Sequence, residues 1–492
     1  MSTVSATGFC RVTVAAPDSR IDVALPEDVP LSDVYPEILR LSGQAPAEGA
    51  PTGYHLVRRD GTVLDPGRSL VEHRILDGEL LLMRPFADSL PPAVFDDVVD
   101  AVASAVETDR RSWNDGLMRA AGLAAGVLLL TMMALVLWFS EPFKHDMHGL
   151  PGIIAGATGL VLVALSGVRA RVYDDRWSAM ALGLAALPHL LVAGSGVMPL
   201  SEGEGPGRLH FLIGCVVVLI ASVLLVALLP QGDAPFVATS FVSFVGTLAT
   251  FVAIVSEAQP REAAAVTAVT AIAVVAFLPG WSARFARLPI GFRSPDQISS
   301  TRKQRGPESE REEEEPIDFE KITGQARRGH ELLLGLVGGC SAAVVGSAGV
   351  VLGFSDSGWA QALALAAGIA TMMRARLFRY TAQVVCLMGA GVATVALLVL
   401  GLALNPPADA LKELLLKGNG APLDIRTVWL SAAVALGAAL LVAVALIVPK
   451  KGVTPFWGRM MDLAEGAVLL SLIPLALAVL DVYNAARSMT ST

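Results

Sequence analysis

The residues with the most chemical potential in this sequence form an acidic run, ESEREEEEPIDFEK, from Glu308 to Lys321. Closely spaced carboxylates can bind a divalent cation or act as general acids and bases. Either role needs carboxylates held in fixed positions by the surrounding fold. The run contains no histidine, and Pro307 and Pro316 bracket its acidic part and oppose a continuous helix. We therefore expect a solvated segment rather than a catalytic or metal centre.

Ionisable side chains inside apolar runs are the next candidates, because such groups usually mark an ion path or an active site. They are His189, His210, Asp462 and Glu465, with Arg374 at a helix end. His189 follows Pro188, whose missing N–H leaves a backbone carbonyl for a nearby donor. Glu465 comes one turn after Asp462, close to a predicted membrane boundary. Structural roles are favoured, since these scattered groups do not form the cluster that a coupled transporter needs.

Sequence motifs of enzymes are absent. There is no HExxH, no GxGD-like pair and no Gly-rich phosphate loop. AGSG at Ala193–Gly196 only partly matches a serine-protease GxSG, and its nearest histidine lies on the same predicted helix. The four cysteines show no CxxC spacing and are interpreted as small buried hydrophobes. We expect no catalytic, cofactor-binding or metal-binding residue, hence no enzyme and no cofactor.

The composition places most of the chain in a membrane. Of 492 residues, 53% are hydrophobic and 17% charged, and the mean hydropathy is +0.59. A soluble globular protein has a higher charged fraction. The net charge of −8 argues against a nucleic-acid partner. The first ten residues lack a basic stretch and a following apolar core, so we expect no cleavable signal peptide.

Eleven apolar runs are long enough, or nearly so, to cross the bilayer, which requires about 20 residues. They are 117–139, 149–168, 177–198, 209–229, 236–256, 263–281, 332–354, 358–373, 380–404, 427–448 and 460–483; the eighth is short. Lys and Arg concentrate in the segments that are cytoplasmic if the N-terminus is inside, for example RARVYDDR and RARLFR. The positive-inside rule then predicts a cytoplasmic N-terminus and an extracytoplasmic C-terminus. One inside loop, PQGDAP at 230–235, carries no positive charge.

The residues before the first apolar run predict a small α+β domain. Gly8–Pro17 and Ser19–Pro26 alternate as a strand hairpin. A helix follows, with Ser32 as the expected N-cap and Gly43 at its end. A hairpin around Asp60-Gly61 and a closing strand from Glu79 to Met83 complete the order. This order resembles the ubiquitin-like β-grasp fold and favours a docking or assembly module.

The predicted fold class is therefore a ubiquitin-like β-grasp domain followed by an all-α membrane domain of about eleven helices. Pro91 and Pro92 precede an apolar stripe that predicts a short amphipathic helix. The expected organisation is 1–86, ubiquitin-like; 87–116, amphipathic linker helix; 117–281, membrane helices 1–6; 282–331, cytosolic charged loop; 332–483, membrane helices 7–11; and 484–492, extracytoplasmic tail.

Three segments carry a resemblance to a known family: GFCRVTVAAPDSRIDVALP, DGELLLMRP and PPAVFDDVVDAVA. Together with the helix count, they resemble EccD, the multispanning subunit of the actinobacterial type VII (ESX) secretion system. The resemblance covers essentially the whole chain and implies a non-enzymatic membrane scaffold. The glutamate-rich central loop is a departure, because it does not map onto a family pattern.

The resemblance also implies partners. EccD-like proteins assemble with EccB, EccC and often EccE, where EccC is the FtsK/SpoIIIE-type ATPase that powers export. Two EccD-like copies are expected to pair around a lipid-filled space, with the ubiquitin-like domains supporting the ATPase. The implied location is the cytoplasmic membrane of an actinobacterium, in contact with membrane lipid.

Two other functions remain open on the sequence alone: a secondary transporter with a regulatory β-grasp domain, and a membrane receptor or regulator. Within the charged loop, the apolar residues Ile317, Phe319 and Ile322 stand among charges. One interpretation is a solvated linker. The other is that these three residues contact a cytosolic partner such as the EccC-like ATPase.

Overall fold

A computed structural model describes residues 8–17, 19–43, 54–85, 115–141, 143–201, 205–229, 232–288, 319–451 and 454–490. The chain divides into two compact units, with the boundary between Ser112 and Trp113. The predicted amphipathic helix and most of the acidic run lie outside the described residues.

The first unit is a four-stranded mixed sheet with one helix. Its strands are β1 (Phe9–Ala15), β2 (Arg20–Pro26), β3 (Tyr54–Arg58) and β4 (Glu79–Pro85), in the order β2-β1-β4-β3. β1 runs antiparallel to β2 and parallel to β4, while β3 and β4 are antiparallel. Helix α1 (Leu31–Leu41) supplies Leu31 and Ile38, both fully buried, to the core. The predicted β-grasp arrangement is confirmed.

Two local predictions in this unit need correction. Ser32 does not cap α1: the helix begins at Leu31, after Pro30, and has no side-chain cap. Burial of Leu31 sets the helix start here, overriding the local capping signal. The hairpin around Gly61 has a left-handed turn residue, as expected (φ +91°). However, its second arm forms only an isolated bridge between Val57 and Val63, not a strand.

The second unit is helical, and ten of its described helices are long and apolar enough to cross a membrane. A helix coincides with each of the eleven predicted runs. They are α2 (Asp115–Trp138), α3 (Leu150–Arg171), α4 (Arg176–Ser195), α5 (Arg208–Leu228), α6 (Ala234–Val255), α7 (Pro260–Phe285), α8 (Phe319–Val344), α9 (Gly358–Arg374), α10 (Thr381–Leu404), α12 (Ala421–Lys451) and α13 (Pro455–Val479). Two further short helices are described, α11 (Ala408–Lys417) and α14 (Val482–Thr490).

Helix α9 corresponds to the short eighth run and has 17 residues. Its alanines at 360, 364, 367 and 370 are fully buried, as is Leu363. Neighbouring helices therefore cover much of its surface, while Trp359 and Leu365 are exposed. Helix α8 begins at Phe319, so the last residues of the segment 282–331 are helical.

Small residues set the spacing between helices. Gly335 and Gly339 of α8 pack on α6, where a Cβ on Gly335 would lie 2.6 Å from Val237 Cβ. α8 continues into a π-helical segment, Val345–Leu352. There a Cβ on Gly349 would lie 3.3 Å from Thr394 Cα of α10. These glycines thus serve packing within the chain, because small residues let helix backbones approach closely.

Candidate functional site

The three predicted partner-contact residues lie at the start of α8. Phe319 is the first residue of the helix, and Ile322, one turn later, is half-buried. Ile317 lies outside the described residues. Two of the three residues thus fall within the first turn of α8.

Two turns further along α8, an ion pair joins this helix to α6. Arg328 Nη1 lies 2.5 Å from Oδ2 of Asp233, the residue that precedes α6. The Asp233 side chain is 1% exposed, whereas Arg328 is 38% exposed. Glu331 lies 3.8 Å from Arg328 and, through its other oxygen, 3.8 Å from Arg176 at the start of α4. We call Arg176, Asp233, Arg328 and Glu331 the loop-end cluster.

Gly232 completes the geometry of the loop-end cluster. Its φ of +75° is in the left-handed region, which favours glycine. A Cβ at this position would overlap the guanidinium of Arg176. Because Gly232 has no side chain, the guanidinium of Arg176 can pass over its backbone toward Glu331. The cluster connects the starts of α4 and α6 to the middle of α8, which lies on the other side of the long loop in the sequence.

A second charged group connects α2 to the loop between α3 and α4. Asp175 caps α4 by accepting a hydrogen bond from the Ser178 N–H at 3.2 Å. It also pairs with Arg119 of α2, and Arg169 Nη1 lies 3.9 Å away. Hydrogen bonds from Ser178, and then the charge of Arg119, hold the pKa of Asp175 below its usual value. The carboxylate stays charged and holds α2 against the bundle.

The intramembrane candidates of the sequence have structural partners. Arg376 Nη2 lies 2.8 Å from Asp462 Oδ1, and Arg374 Nη1 lies 3.6 Å from Glu465 Oε1. These pairs join the end of α9 to α13. The pairing explains why two acidic residues occur in an apolar run.

The two histidine candidates are also integrated into the helices. His189 is fully buried, and its Nδ1 lies 2.9 Å from the carbonyl oxygen of Ala185. Pro188 has no N–H to bond the carbonyl of residue 184. The carbonyl that His189 contacts is the next one along the helix. His210 Nδ1 accepts a hydrogen bond from Gly207 N–H at the start of α5. Each imidazole thus satisfies backbone groups of its own helix.

Two helices leave large faces without protein contact. None of the apolar stretch of α12 between Ala421 and Leu446 is buried, and only 6% of that of α2 is. Arg426 ties the start of α12 to the end of α10 by donating to the Leu402 carbonyl at 2.5 Å. Further along, even small residues such as Ala435 and Ala438 are exposed. Apart from its start, α12 therefore has little packing against the other described residues.

On α2, the pair Gly122xxxGly126 differs from the glycines of α8. A Cβ at either position would meet no atom within 4 Å among the described residues. The close-approach surface of this pair is thus open toward the membrane. Together, the open faces of α2 and α12 form the surfaces on which other helices can pack.

The described residues include no group of three or more His, Cys, Asp or Glu side chains placed to hold a metal ion. The loop-end cluster was missed in the sequence because its members are far apart along the chain. The one available signal was the inside loop PQGDAP, which lacks a positive charge and contains an aspartate. A carboxylate in a predicted cytoplasmic loop that has no basic residue beside it in the sequence indicates a basic partner from a distant part of the chain.

Comparison with protein families matches both units. Residues 118–489 match the EccD-like transmembrane domain. Residues 9–83 match the family described as WXG100 protein secretion system (Wss), protein YukD. The first match covers more than half of the chain.

Similar proteins occur in Mycobacterium tuberculosis. The chain is 28% identical over 225 residues to the ESX-4 secretion system protein eccD4, covering 44% of this chain and 46% of that protein. It is 28% identical over 187 residues to the ESX-3 secretion system protein EccD3, covering 36% and 39%. The chain thus spans less than half the length of the curated relatives it matches.

Two solved structures share the fold over most of the chain. One is described as protomer 1 of the ESX-3 core complex, with a TM-score of 0.58, 19% identity, and coverage of 97% of this chain and 100% of that chain. The other is the MycP5-free ESX-5 inner membrane complex in State II, with a TM-score of 0.52, 20% identity, and coverage of 88% and 99%. At these identities, the likeness concerns the fold.

Proposed function

The chain belongs to the EccD-like transmembrane domain family of type VII secretion, and from this we propose that it is a non-enzymatic membrane subunit of an ESX-type secretion complex. The observation that carries the proposal is the family match over 118–489. The order of a β-grasp unit followed by a multispanning helical unit is the same order that the two family matches give. The role assigned is that of a scaffold on which other membrane subunits assemble.

The exposed α12 supports an assembly role. A helix of this hydropathy can sit in lipid alone, but it contributes little to the bundle, since it has almost no packing there. Ser431, Ala435, Ala438 and Ala445 lie within one helical face, and small residues favour close helix–helix approach in membranes. Leu436 and Leu440 lie on the opposite face. We assign the small-residue face to contact with a membrane helix of the complex.

The proposed partners are an EccC-like ATPase of the FtsK/SpoIIIE type, an EccB-like subunit and, in some systems, an EccE-like subunit, with a second copy of the chain. The β-grasp unit and the start of α8 are assigned to the ATPase on the cytoplasmic side. The proposed orientation follows the positive-inside pattern: the N-terminus is cytoplasmic and the C-terminus extracytoplasmic. The proposed location is the cytoplasmic membrane of an actinobacterium.

Affinity purification of the tagged chain from its native host in a mild detergent tests the proposal. We expect an ATPase and at least one further membrane subunit to co-purify in fixed ratio. Ala435→Leu with Ala438→Leu should reduce that recovery severalfold without affecting the isolated chain, because these residues are exposed. Ala433→Leu, on the opposite face, is the matched control. Recovery of the intact chain alone would contradict the scaffold role.

A further inference from the structure

A membrane-facing groove of about 430 Å³ lies between α3 and α5. Both helices pack against α4, which lies behind the groove. All but one of the lining residues are apolar or glycine: Leu160, Val163, Ala164, Gly167, Val168, Val172, Leu224 and Leu228. The remaining residue is Arg171 at one end. The groove therefore has an apolar lining and one positively charged end.

The length of the groove fits one leaflet of a bilayer. Along α3 the lining runs from Leu160 to Val172, which is about 18 Å at 1.5 Å per residue. Half of the hydrocarbon core of a bilayer is roughly 15 Å thick. Gly167 keeps the groove open, because a Cβ there would already lie 3.4 Å from Leu228 Cδ1. An extended acyl chain matches both this length and this lining.

The cationic end has the chemistry of a phosphate contact. Arg171 donates one hydrogen bond, 2.7 Å long, to the carbonyl oxygen of Ala227. This bond uses one of the five N–H donors of a guanidinium and fixes the side chain at the end of α5. The remaining donors suit a bidentate phosphate contact. The neighbouring acidic residue Asp175 is already paired with Arg119.

Other side chains at this end of the groove are typical of the depth at which lipid headgroups lie. Tyr173 and Trp177 are both well exposed. The guanidinium of Arg169 lies 5.1 Å from the Tyr173 ring centre, and that of Arg176 lies 5.8 Å from that of Trp177. Aromatic and basic side chains in this combination are enriched where a membrane meets the cytoplasm. Asp174 is also exposed, but the arginines nearby outnumber it, so the net charge at this end of the groove is positive.

We propose that the α3–α5 groove binds one anionic phospholipid of the cytoplasmic leaflet, with an acyl chain along Gly167 and the headgroup phosphate on Arg171. The inference rests on the proposed orientation, and it is independent of the secretion role. The acyl chain of a zwitterionic lipid fits the groove equally well, but its headgroup brings a positive charge close to Arg171. The groove is therefore selective for net negative headgroups.

The test uses the full-length chain in phosphatidylcholine nanodiscs with a trace of phosphatidylglycerol that carries a diazirine on an acyl chain. After irradiation, label is quantified on peptides covering 160–172. Unlabelled phosphatidylglycerol should compete about tenfold better than phosphatidylcholine, and millimolar inorganic phosphate should not compete. Arg171→Gln should remove this preference, and Arg171→Lys should keep most of it. Arg169→Gln, on the same helix, should change it less than twofold.

Gly167→Leu should lower labelling by both lipids, because the leucine fills the channel. Monodisperse elution of each variant shows that it is folded. Equal competition by the two lipids, or the same loss in the Arg171→Gln and Arg169→Gln variants, would overturn the proposal. Displacement of the label by inorganic phosphate would also overturn it, since the site would then bind free anions. Unchanged labelling in Gly167→Leu would place the lipid outside the groove.

Discussion

Arg328 and Asp233 are 95 residues apart in the sequence, yet their side chains form an ion pair of 2.5 Å. Asp233 is buried at the start of α6, and Arg328 lies on α8, beyond the long charged loop. The pair thus closes the helical unit across its largest connection. Its energy is that of a half-buried pair, because only one partner is removed from water.

Removing Arg328 should destabilise the helical unit more than removing both charges. Arg328→Gln leaves the Asp233 carboxylate buried without its counter-ion, so we expect a loss of about 2 kcal/mol. This is less than for a fully buried pair, since water reaches Arg328. Asp233→Asn should lower stability less, and the stability lost in the double variant should be smaller than the loss in Arg328→Gln alone. Unfolding of the purified chain in detergent, analysed as a double-mutant cycle, measures the coupling.

Arg327→Gln is the control for this cycle, because Arg327 is an exposed neighbour on the same helix. We expect it to change stability by less than about 0.5 kcal/mol. Purely additive effects of Arg328→Gln and Asp233→Asn would show that the pair contributes nothing.

Gly401 of α10 should not tolerate a methyl group. A Cβ there would overlap the carbonyl oxygen of Gly353 and lie 2.8 Å from its carbonyl carbon. Backbone atoms cannot rotate away, so Gly401→Ala has to separate α10 from α8. We expect a loss of roughly 2–3 kcal/mol, in the range of overpacked cores, measured as a lower unfolding midpoint.

Gly389→Ala is the matched control for Gly401→Ala. It lies on the same helix, and a Cβ there would meet no described atom within 4 Å. Its midpoint should match the wild type or exceed it slightly, because alanine is the better helix former. Similar midpoints for the two variants would contradict the close contact with Gly353.

The β-grasp unit should lose stability at alkaline pH through Tyr35. Its hydroxyl accepts a 2.5 Å hydrogen bond from the Leu56 N–H. Burial raises the pKa of Tyr35 from 10 to about 12, although the Leu56 bond lowers it. A raised pKa means that the folded state holds the proton more tightly than the unfolded state. This contribution is fully present below pH 10 and is lost as the pH rises toward 12.

A spectrophotometric titration of tyrosinate in the full-length chain measures the Tyr35 pKa. One tyrosine should ionise near pH 12 in the wild type and be missing in Tyr35→Phe. At neutral pH that variant should lose about 1 kcal/mol in the β-grasp unit, because the Leu56 N–H loses its acceptor. Hydrogen exchange of peptides covering Leu56 reports this loss as roughly fivefold faster exchange. A titration identical in both proteins would rule out the buried hydroxyl as the late-ionising group.

Phe319 and Ile322 should support association with the cytosolic ATPase. Replacing both with Ser removes apolar contact at the start of α8, so we expect a severalfold loss of co-purifying ATPase with unchanged membrane insertion. Replacing both with Leu keeps an apolar surface and should preserve recovery. If the Ser variant recovers as much ATPase as the wild type, the segment is a solvated linker.

The sequence predicted the spans and the β-grasp order because both depend on local hydrophobic patterns. It did not predict that α8 begins at Phe319, because the charged residues before Glu331 interrupt the apolar pattern of the helix. It did not predict which glycine pairs pack inside the chain. Gly335 and Gly349 face neighbouring helices, whereas Gly122 faces outward, and this choice depends on the three-dimensional arrangement.

The partner of Asp233 could not be predicted either, because an ion pair across 95 residues leaves no local pattern. In contrast, the pairing of Asp462 and Glu465 with arginines was partly predictable, since RARLFR was expected on the same side of the membrane. Loop charges therefore indicate which groups share a membrane surface. They do not identify which of those groups are in contact.

The loop before α6 has a consequence for biosynthesis. A chain emerging from the ribosome makes its first six membrane helices before Arg328 exists. During that interval Asp233 has no counter-ion from α8, and the segment 230–235 offers the translocon no positive charge. With the proposed cytoplasmic N-terminus, the preceding arginines Arg169, Arg171 and Arg176 would orient the hairpin of α5 and α6. The ion pair between Asp233 and Arg328 can form only once α8 has been made.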